Sequence, residues 1–234
     1  MKLSAPIFRL KRQAKALSRD EGIPLHEAQD RIARAEGFQR WSHLAAQHDA
    51  AGPAADLLAQ LEPGDLVLLA GKREHGKTAL AFGLIAEALA ADRSVGYFSL
   101  DENDADIEQR VEAAGVTSSE RFSYETSDAI TASLIAERHR GADAGTLILI
   151  DYLQILDQQR HKPPVADQIE TLQAFCAETG AIVVTLCQID RSFDTSGATH
   201  PGPEHVRMPN PIDLTRFDKA CFIHDGEIRL GAAH

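Results

Sequence analysis

The chain has 234 residues, 44% of them hydrophobic and 25% charged, with a formal net charge of −11. That profile fits a globular protein with one sizeable core and room for a small appendage. Three cysteines without C-x-x-C spacing, a start (MKLSAPIFRLKRQ) without an apolar run, and no window near the ~18 apolar residues of a membrane span argue against a disulfide framework, a signal peptide and a membrane protein. A cytoplasmic protein with reduced thiols is expected.

The charge is uneven. Residues 1–50 carry nine Lys/Arg against six Asp/Glu, and the remainder fifteen against twenty-nine. An acidic body does not suit wide, sequence-independent binding to a phosphate backbone, so any nucleic-acid contact is expected to be local.

Residues 4–19 read as a helix, with Ser4 as cap, Pro6 in the first turn, and Ile7, Leu10, Ala14 and Leu17 at helical spacing. A second helix opens at Pro24, lines up Leu25, Ala28 and Ile32, and stops at Gly37. Phe38, Trp41 and Leu44 anchor a third. The stretch IARAEGFQRWSHLAA has the Ala-x-x-x-Gly spacing of a helix-turn-helix, but His43 falls where an apolar residue would help, and a small helical hairpin with Phe38 and Trp41 as core is the commoner pattern. A third reading makes the first helix a docking arm for a neighbouring subunit or another protein. Residues 1–50 are thus a small all-helical element, and AAGPAAD begins a linker with a short helix over 51–60.

After Gly64 the pattern changes. Apolar runs at 65–70, 95–100, 146–151 and 181–187 alternate with helical segments near 77–91, 103–114, 128–140 and 165–178. Continuous apolar strands between helices predict an α/β fold with a mostly parallel sheet. Residues 190–211, rich in Gly, Pro and Ser, read as a long surface loop of functional or mobile character. KACFIHDGEIRL reads as two strands joined at Asp225-Gly226.

The stretch GKREHGKT, 71–78, fits G-x-x-x-x-G-K-[ST] between a strand and a helix. Such a loop turns its backbone N–H groups around a phosphate chain, and the helix N-terminus adds partial positive charge. The candidate nucleotide-binding residues are Gly71, His75, Gly76, Lys77, Thr78 and Ala79. Lys77 would reach the β- and γ-phosphates and Thr78 would hold Mg²⁺. Glu74 would repel phosphate and is expected to point to solvent. Asp151, ending the strand TLILID, is the second candidate metal ligand. Asp101 and Glu102 follow the strand VGYFSL. A carboxylate there either takes a proton from an attacking water or helps cap the next helix, with Asp101 or Asn103 as the cap. Gln188, ending AIVVTLC, is placed to contact the γ-phosphate and report its loss to the following loop. No cysteine-linked ligand spacing involves His75, His139, His161, His200 or His205, so no structural zinc is expected.

Together LEPGDLVLLAG, GKTALAFGLIAEAL, VGYFSLDEN, LILIDYLQIL and VVTLCQIDRS resemble the ATPase domain of replicative DnaB-type helicases, within the RecA superfamily. The resemblance implies a RecA-like P-loop NTPase domain over 61–234, with ATP and Mg²⁺ as cofactors. It lays Asp101 on the family's catalytic glutamate, Asp151 on its metal-orienting aspartate and Gln188 on its γ-phosphate sensor. Asp101 is one methylene shorter than that glutamate, with Glu102 beside it. Arg229 is the only basic residue where the family has a basic finger. The family's large N-terminal helical domain has no counterpart in residues 1–50. The resemblance implies an ATPase acting on or beside DNA, through 157–164 and 190–211 with Arg160, Lys162, Arg191 and Arg207, and working as a homo-oligomer or with a protein partner bound through 1–50. A nucleotide-gated adaptor with little turnover is the alternative. A small-molecule kinase would need an arginine-rich lid, and 115–145 offers only Arg121, Arg138 and Arg140.

Overall fold

The computed structural model describes residues 7–73, 75–114, 116, 120–157, 162–208, 210 and 212–233. They form two compact units, divided between Asp56 and Leu57.

In the first unit, α1 (Ile7–Glu21) pairs with α2 (Leu25–Ala35), and α3 (Trp41–Leu58) follows, its last two residues lying past the division. Leu10, Ala33 and Leu44 are buried together, with Ile32, Phe38 and Trp41 packed against them. Phe38 and Trp41 therefore belong to a small helical core. Leu25, expected on the apolar side of α2, is instead 40% exposed. It occupies the helix's first position, where the chain has only just left Pro24, and α2's buried residues are Ala28 and Ala33. Gly37 takes a φ of 85° just past the helix end, which L side chains rarely adopt. α3 breaks at Gly52 (φ 67°, ψ 163°), followed by Pro53, inside the AAGPAAD stretch.

In the second unit seven strands make one sheet: β1 (Leu66–Gly71), β2 (Val95–Ser99), β3 (Phe122–Glu125), β4 (Leu147–Asp151), β5 (Ile182–Gln188), β6 (Lys219–His224) and β7 (Glu227–Ala232). Their order is β3-β2-β4-β5-β1-β6-β7. All neighbours are parallel except the hairpin β6-β7. Every residue of β1, β2 and β4 is buried, which is why these strands read as unbroken apolar runs instead of alternating ones. The flanking helices are α4 (Lys77–Ala90), α5 (Asp104–Ala113), α6 (Ala132–Arg138) and α7 (Val165–Thr179). α7 is fixed by a buried amide. Gln168 donates to the carbonyls of Leu156 (2.6 Å) and Pro163 (2.9 Å), and accepts from the backbone N–H of Ala132 at 3.0 Å.

Two parts of the sequence reading change. β3 was not foreseen. The 190–211 stretch is not simply a surface loop. Ile189 bridges Val206 antiparallel, two 3₁₀ turns form at Arg191–Thr195 and Pro203–His205, and Phe193 and His205 are buried at 4% and 5% exposure. The aromatic ring has apolar surface to hide, and His205 Nδ1 accepts the N–H of Gly202, so the segment folds back on itself.

All strand C-termini of the parallel set point the same way. Register then aligns Gly71 with Gln188 across β1 and β5, and Ser99 with Asp151 across β2 and β4. The chain leaves β1 for β2 on one side of the sheet and returns to β6 on the other. The crevice at such a switch of strand order is where ligands sit in open α/β sheets.

Candidate nucleotide site

β1 ends at Gly71, where β6 passes so close that a Cβ would lie 3.0 Å from the carbonyl oxygen of Ile223. The loop then runs to Gly76, whose φ of 87° starts α4 from a left-handed conformation. Glu74 lies outside the described residues. Among the described residues no side chain caps α4, so its first-turn N–H groups, at Lys77, Thr78 and Ala79, are the orphan donors of a helix start and carry its partial positive charge. Lys77 folds back over the loop. Its Nζ donates to the carbonyls of Gly71 (2.9 Å) and Lys72 (2.6 Å). Burial lowers the Lys77 pKa, and the Asp151 carboxylate opposes that shift.

Thr78 Oγ1 donates to Asp151 Oδ2 at 3.1 Å. Asp151 is 9% exposed. Burial raises its pKa, and the hydrogen bonds from Thr78 and Tyr97 only partly offset this. A hydroxyl and a buried, under-compensated carboxylate make a hard oxygen pair that suits Mg²⁺. By this test Thr78 and Asp151 fit the ion.

The two carboxylates after β2 part company. Asp101 is exposed, with its N–H on Ser99 Oγ at 3.3 Å. Asn103 caps α5 in a reciprocal capping box with Asp106, so Asp101 is not the cap. Glu102 turns inward, and its side chain is 9% exposed. The Tyr97 hydroxyl lies 3.0 Å from Glu102 Oε2 and Arg110 Nε pairs with Oε1. Arg110 also lies over the ring of Phe82, 5.8 Å from its centroid. The structure thus brings Glu102, and not Asp101, to the metal-type carboxylate Asp151.

Gln188 ends β5 beside Gly71, and its carbonyl accepts the N–H of Arg207 at 2.8 Å. The phosphate loop touches the next segment directly. Lys72 pairs with Asp194 and sits 5.1 Å from the Phe193 centroid. Gln154, in the 3₁₀ turn after β4, donates to the Arg207 carbonyl at 2.7 Å. Tyr97, Arg110 and Gln154 were not singled out from sequence. Tyr97 looked like any aromatic in a buried strand, and the spacing of Arg110 eight residues past Glu102 became informative only once α5 turned it back.

Of the basic residues expected to face nucleic acid, Arg191 and Arg207 are exposed and Arg160 lies outside the described residues. Lys162 is a correction. It is 8% exposed, and its ammonium is spent on the Ile155 carbonyl at 2.8 Å. A carbonyl left over at the end of the 3₁₀ turn needs a donor more than solvent needs the lysine. Arg229 is paired with Glu227 at 3.1 Å. The three cysteines are buried, and burial pushes Cys187 up to about 11 and Cys176 and Cys221 up to about 12. They stay protonated and unreactive at neutral pH.

A phosphate-type loop after the first strand, an aspartate at the end of β4 and a polar residue at the end of β5, all on one edge of a mostly parallel sheet, define the fold of RecA-like P-loop ATPase domains. The chain is similar to the solved structure of a DnaB-like replicative helicase and its interactions with primase, with a TM-score of 0.57 and 16% identity, over 96% of this chain and 73% of that one. It is also similar to a second solved structure, that of an ATPase domain, with a TM-score of 0.56 and 17% identity, over 78% of this chain and 81% of that one. In sequence it is 25% identical over 204 residues to the replicative DNA helicase DnaB of Buchnera aphidicola subsp. Schizaphis graminum (strain Sg). That match takes in 72% of this chain and 44% of the relative, so the chain spans less than half of that helicase's length. No family model matches. The resemblance to DnaB-type ATPase domains is borne out. Among the described residues, no helix is long and apolar enough to cross a membrane.

Proposed function

We propose that this chain binds Mg–ATP at the loop 71–78, hydrolyses it, and acts on or beside DNA. The observation that carries this is the convergence of Lys77, Thr78 and the buried Asp151 at the uncapped start of α4. The orphan N–H groups and the Lys77 ammonium are donors for the β- and γ-phosphates. Thr78 and Asp151 would hold Mg²⁺, whose contribution is to neutralise charge on the phosphates. Glu102 is the carboxylate positioned to accept a proton from an attacking water, and Gln188 stands beside the loop to sense the γ-phosphate. The exposed Arg191 and Arg207 suit weak or shared contact with single-stranded DNA rather than a tight grip. Sites of this class are completed at subunit interfaces, so residues 1–50 are the candidate surface for a second copy or a protein partner.

The test is calorimetric titration with Mg–ATP, with hydrolysis followed with and without single-stranded DNA. Binding should be saturable, and Lys77→Ala should weaken it by about 10- to 100-fold, the loss of charge-assisted bonds of roughly 1.5–3 kcal/mol. No uptake by folded protein overturns the proposal.

One observation favours the adaptor alternative, in which nucleotide binding recruits a partner with little turnover. Arg110 occupies Oε1 of Glu102 and the Tyr97 hydroxyl occupies Oε2, so neither carboxylate oxygen is left free for an attacking water. Clear Mg–ATP binding with no hydrolysis, with or without DNA, would select it.

A further inference from the structure

We propose that His75, His224 and Asp225 form a second metal site, for one borderline transition cation such as Zn²⁺ or Co²⁺, bridging the phosphate loop and the β6-β7 turn. It is separate from the Thr78–Asp151 pair and does not depend on nucleotide binding.

His75, in the phosphate loop, meets the neighbouring pair His224 and Asp225, far away in sequence. His75 Nδ1 lies 3.9 Å from Asp225 Oδ1, His224 Nε2 lies 3.4 Å from Asp225 Oδ2, and each residue offers a ligand atom within 4.8 Å of the others. Two imidazoles and one carboxylate are the donor set of zinc-type and related divalent ions, not of Mg²⁺, which prefers oxygen throughout. Drawing these atoms in to ~2.0–2.2 Å from a common centre is a contraction of side-chain scale. With three protein ligands, the coordination sphere keeps an open position.

An independent observation comes from behind the cluster. Among the described residues, buried His224 Nδ1 and His200 Nε2 have no hydrogen-bond partner, although His200 Nε2 lies 3.8 Å from Glu227 Oε2. A buried polar atom in that state is costly, and each such atom needs a reason. The His200 side chain is 7% exposed. Its ring meets the His224 ring edge-on at 5.5 Å, while Phe193 walls the other side at 4.9 Å. His224 is therefore held by ring packing, with Nε2 toward Asp225 and Nδ1 away from it. His75 lies parallel to it, 9° off, with centroids 6.0 Å apart. Asp225 takes a φ of 48°, and with Gly226 at 74° it makes the tight turn that presents the carboxylate at the tip of the hairpin.

The site uses no cysteine, so ligand spacing around Cys176, Cys187 or Cys221 gave no hint of it. Its consequence is mechanical. His75 lies between Lys72 and Lys77, so an ion held by all three ligands pins the loop that is to receive phosphates.

The experiment is titration of the full chain, without a histidine tag and after chelator treatment, with Co²⁺ followed by visible absorption and with Zn²⁺ by calorimetry, both without nucleotide. One equivalent of tightly bound metal is expected. Even outer-shell changes cost metal sites 10- to 100-fold, so His75→Gln and Asp225→Asn should each weaken binding by at least about tenfold. Both positions are partly or largely exposed, so these variants are expected to fold, with circular dichroism as the check. Thr78→Ala should leave Co²⁺ binding unchanged. An absent Co²⁺ spectrum, or binding that survives both substitutions, overturns the proposal. Failure of Mg–ATP binding alone does not touch it.

Discussion

Asp151 and Glu102 share one phenol. The Tyr97 hydroxyl lies 3.1 Å from Asp151 Oδ2 and 3.0 Å from Glu102 Oε2. Burial, then the two carboxylates, raise the Tyr97 pKa, so the hydroxyl keeps its proton at every working pH. One proton cannot satisfy two acceptors. Glu102 has Arg110 as well, whereas Asp151 has Thr78 and the more distant charge of Lys77, which leave its burial incompletely compensated. The metal-type carboxylate is thus left wanting a cation, and the base-type carboxylate is tied in place.

Tyr97→Phe removes the shared donor and leaves two mostly buried carboxylates to face each other across a ring. The cost should be that of an unmet buried acceptor, about 1–3 kcal/mol. Urea unfolding at neutral pH measures it. An unchanged midpoint would mean that the hydroxyl is not shared in solution.

Asp151→Asn should have opposite effects on stability and on binding. The folded-state pKa of Asp151 is raised from its ordinary 3.8. The folded protein therefore holds that proton more tightly than the unfolded chain. The resulting stabilisation is complete below the ordinary value and is lost as pH rises through the folded one. At neutral pH the ionised carboxylate is thus a liability without metal, and Asn relieves it. The metal-free variant should unfold at a higher temperature than the parent at pH 7, with the gap closing toward pH 4. Its Mg²⁺-dependent nucleotide binding should fall. A lower unfolding temperature at pH 7 contradicts the sign.

Between the two neighbouring carboxylates, hydrolysis should follow Glu102. Glu102→Gln is expected to cut kcat by about 10²- to 10⁴-fold, the usual worth of a positioned general base. Asp101→Asn, altering an exposed side chain, should change it less than about threefold, well short of that contribution. The reverse ranking in steady-state assays would show that this segment turns by one residue when nucleotide binds.

The strands β1, β2, β4 and β5 were legible because burial on both faces leaves an unbroken apolar run. β3 was not, since it is a four-residue edge strand with a half-exposed pattern. Lys77, Thr78 and Asp151 were legible because a local motif and a strand end fix them. The choice of Glu102 over Asp101 rests on Tyr97 and Arg110, partners that only the fold brings in. Lys162 misled for the same reason. In sequence it is a basic residue in a polar connection, and its burial depends on a carbonyl presented by the 3₁₀ turn after β4. Phe193 and His205 hid in a stretch without periodicity, where two short 3₁₀ turns leave no repeating signature.

The contact between Lys72 and Asp194 gives the phosphate loop a direct hold on the Arg191–Thr195 turn, in addition to the strand route through Gln188. The pair is partly exposed, so its contribution to global stability should be small, under about 1 kcal/mol, and screened by salt. Its effect on local order should be larger. The turn's own hydrogen bonds are mostly short-range ones within 190–196, and Lys72 also covers the Phe193 ring. Lys72→Ala and Asp194→Asn should each leave the thermal midpoint nearly unchanged. Both should speed amide exchange across Arg191–Thr195, and ~1 M salt should speed it in the parent to a similar degree. Exchange that is indifferent to both substitutions would leave Gln188 as the only route from the loop to this segment.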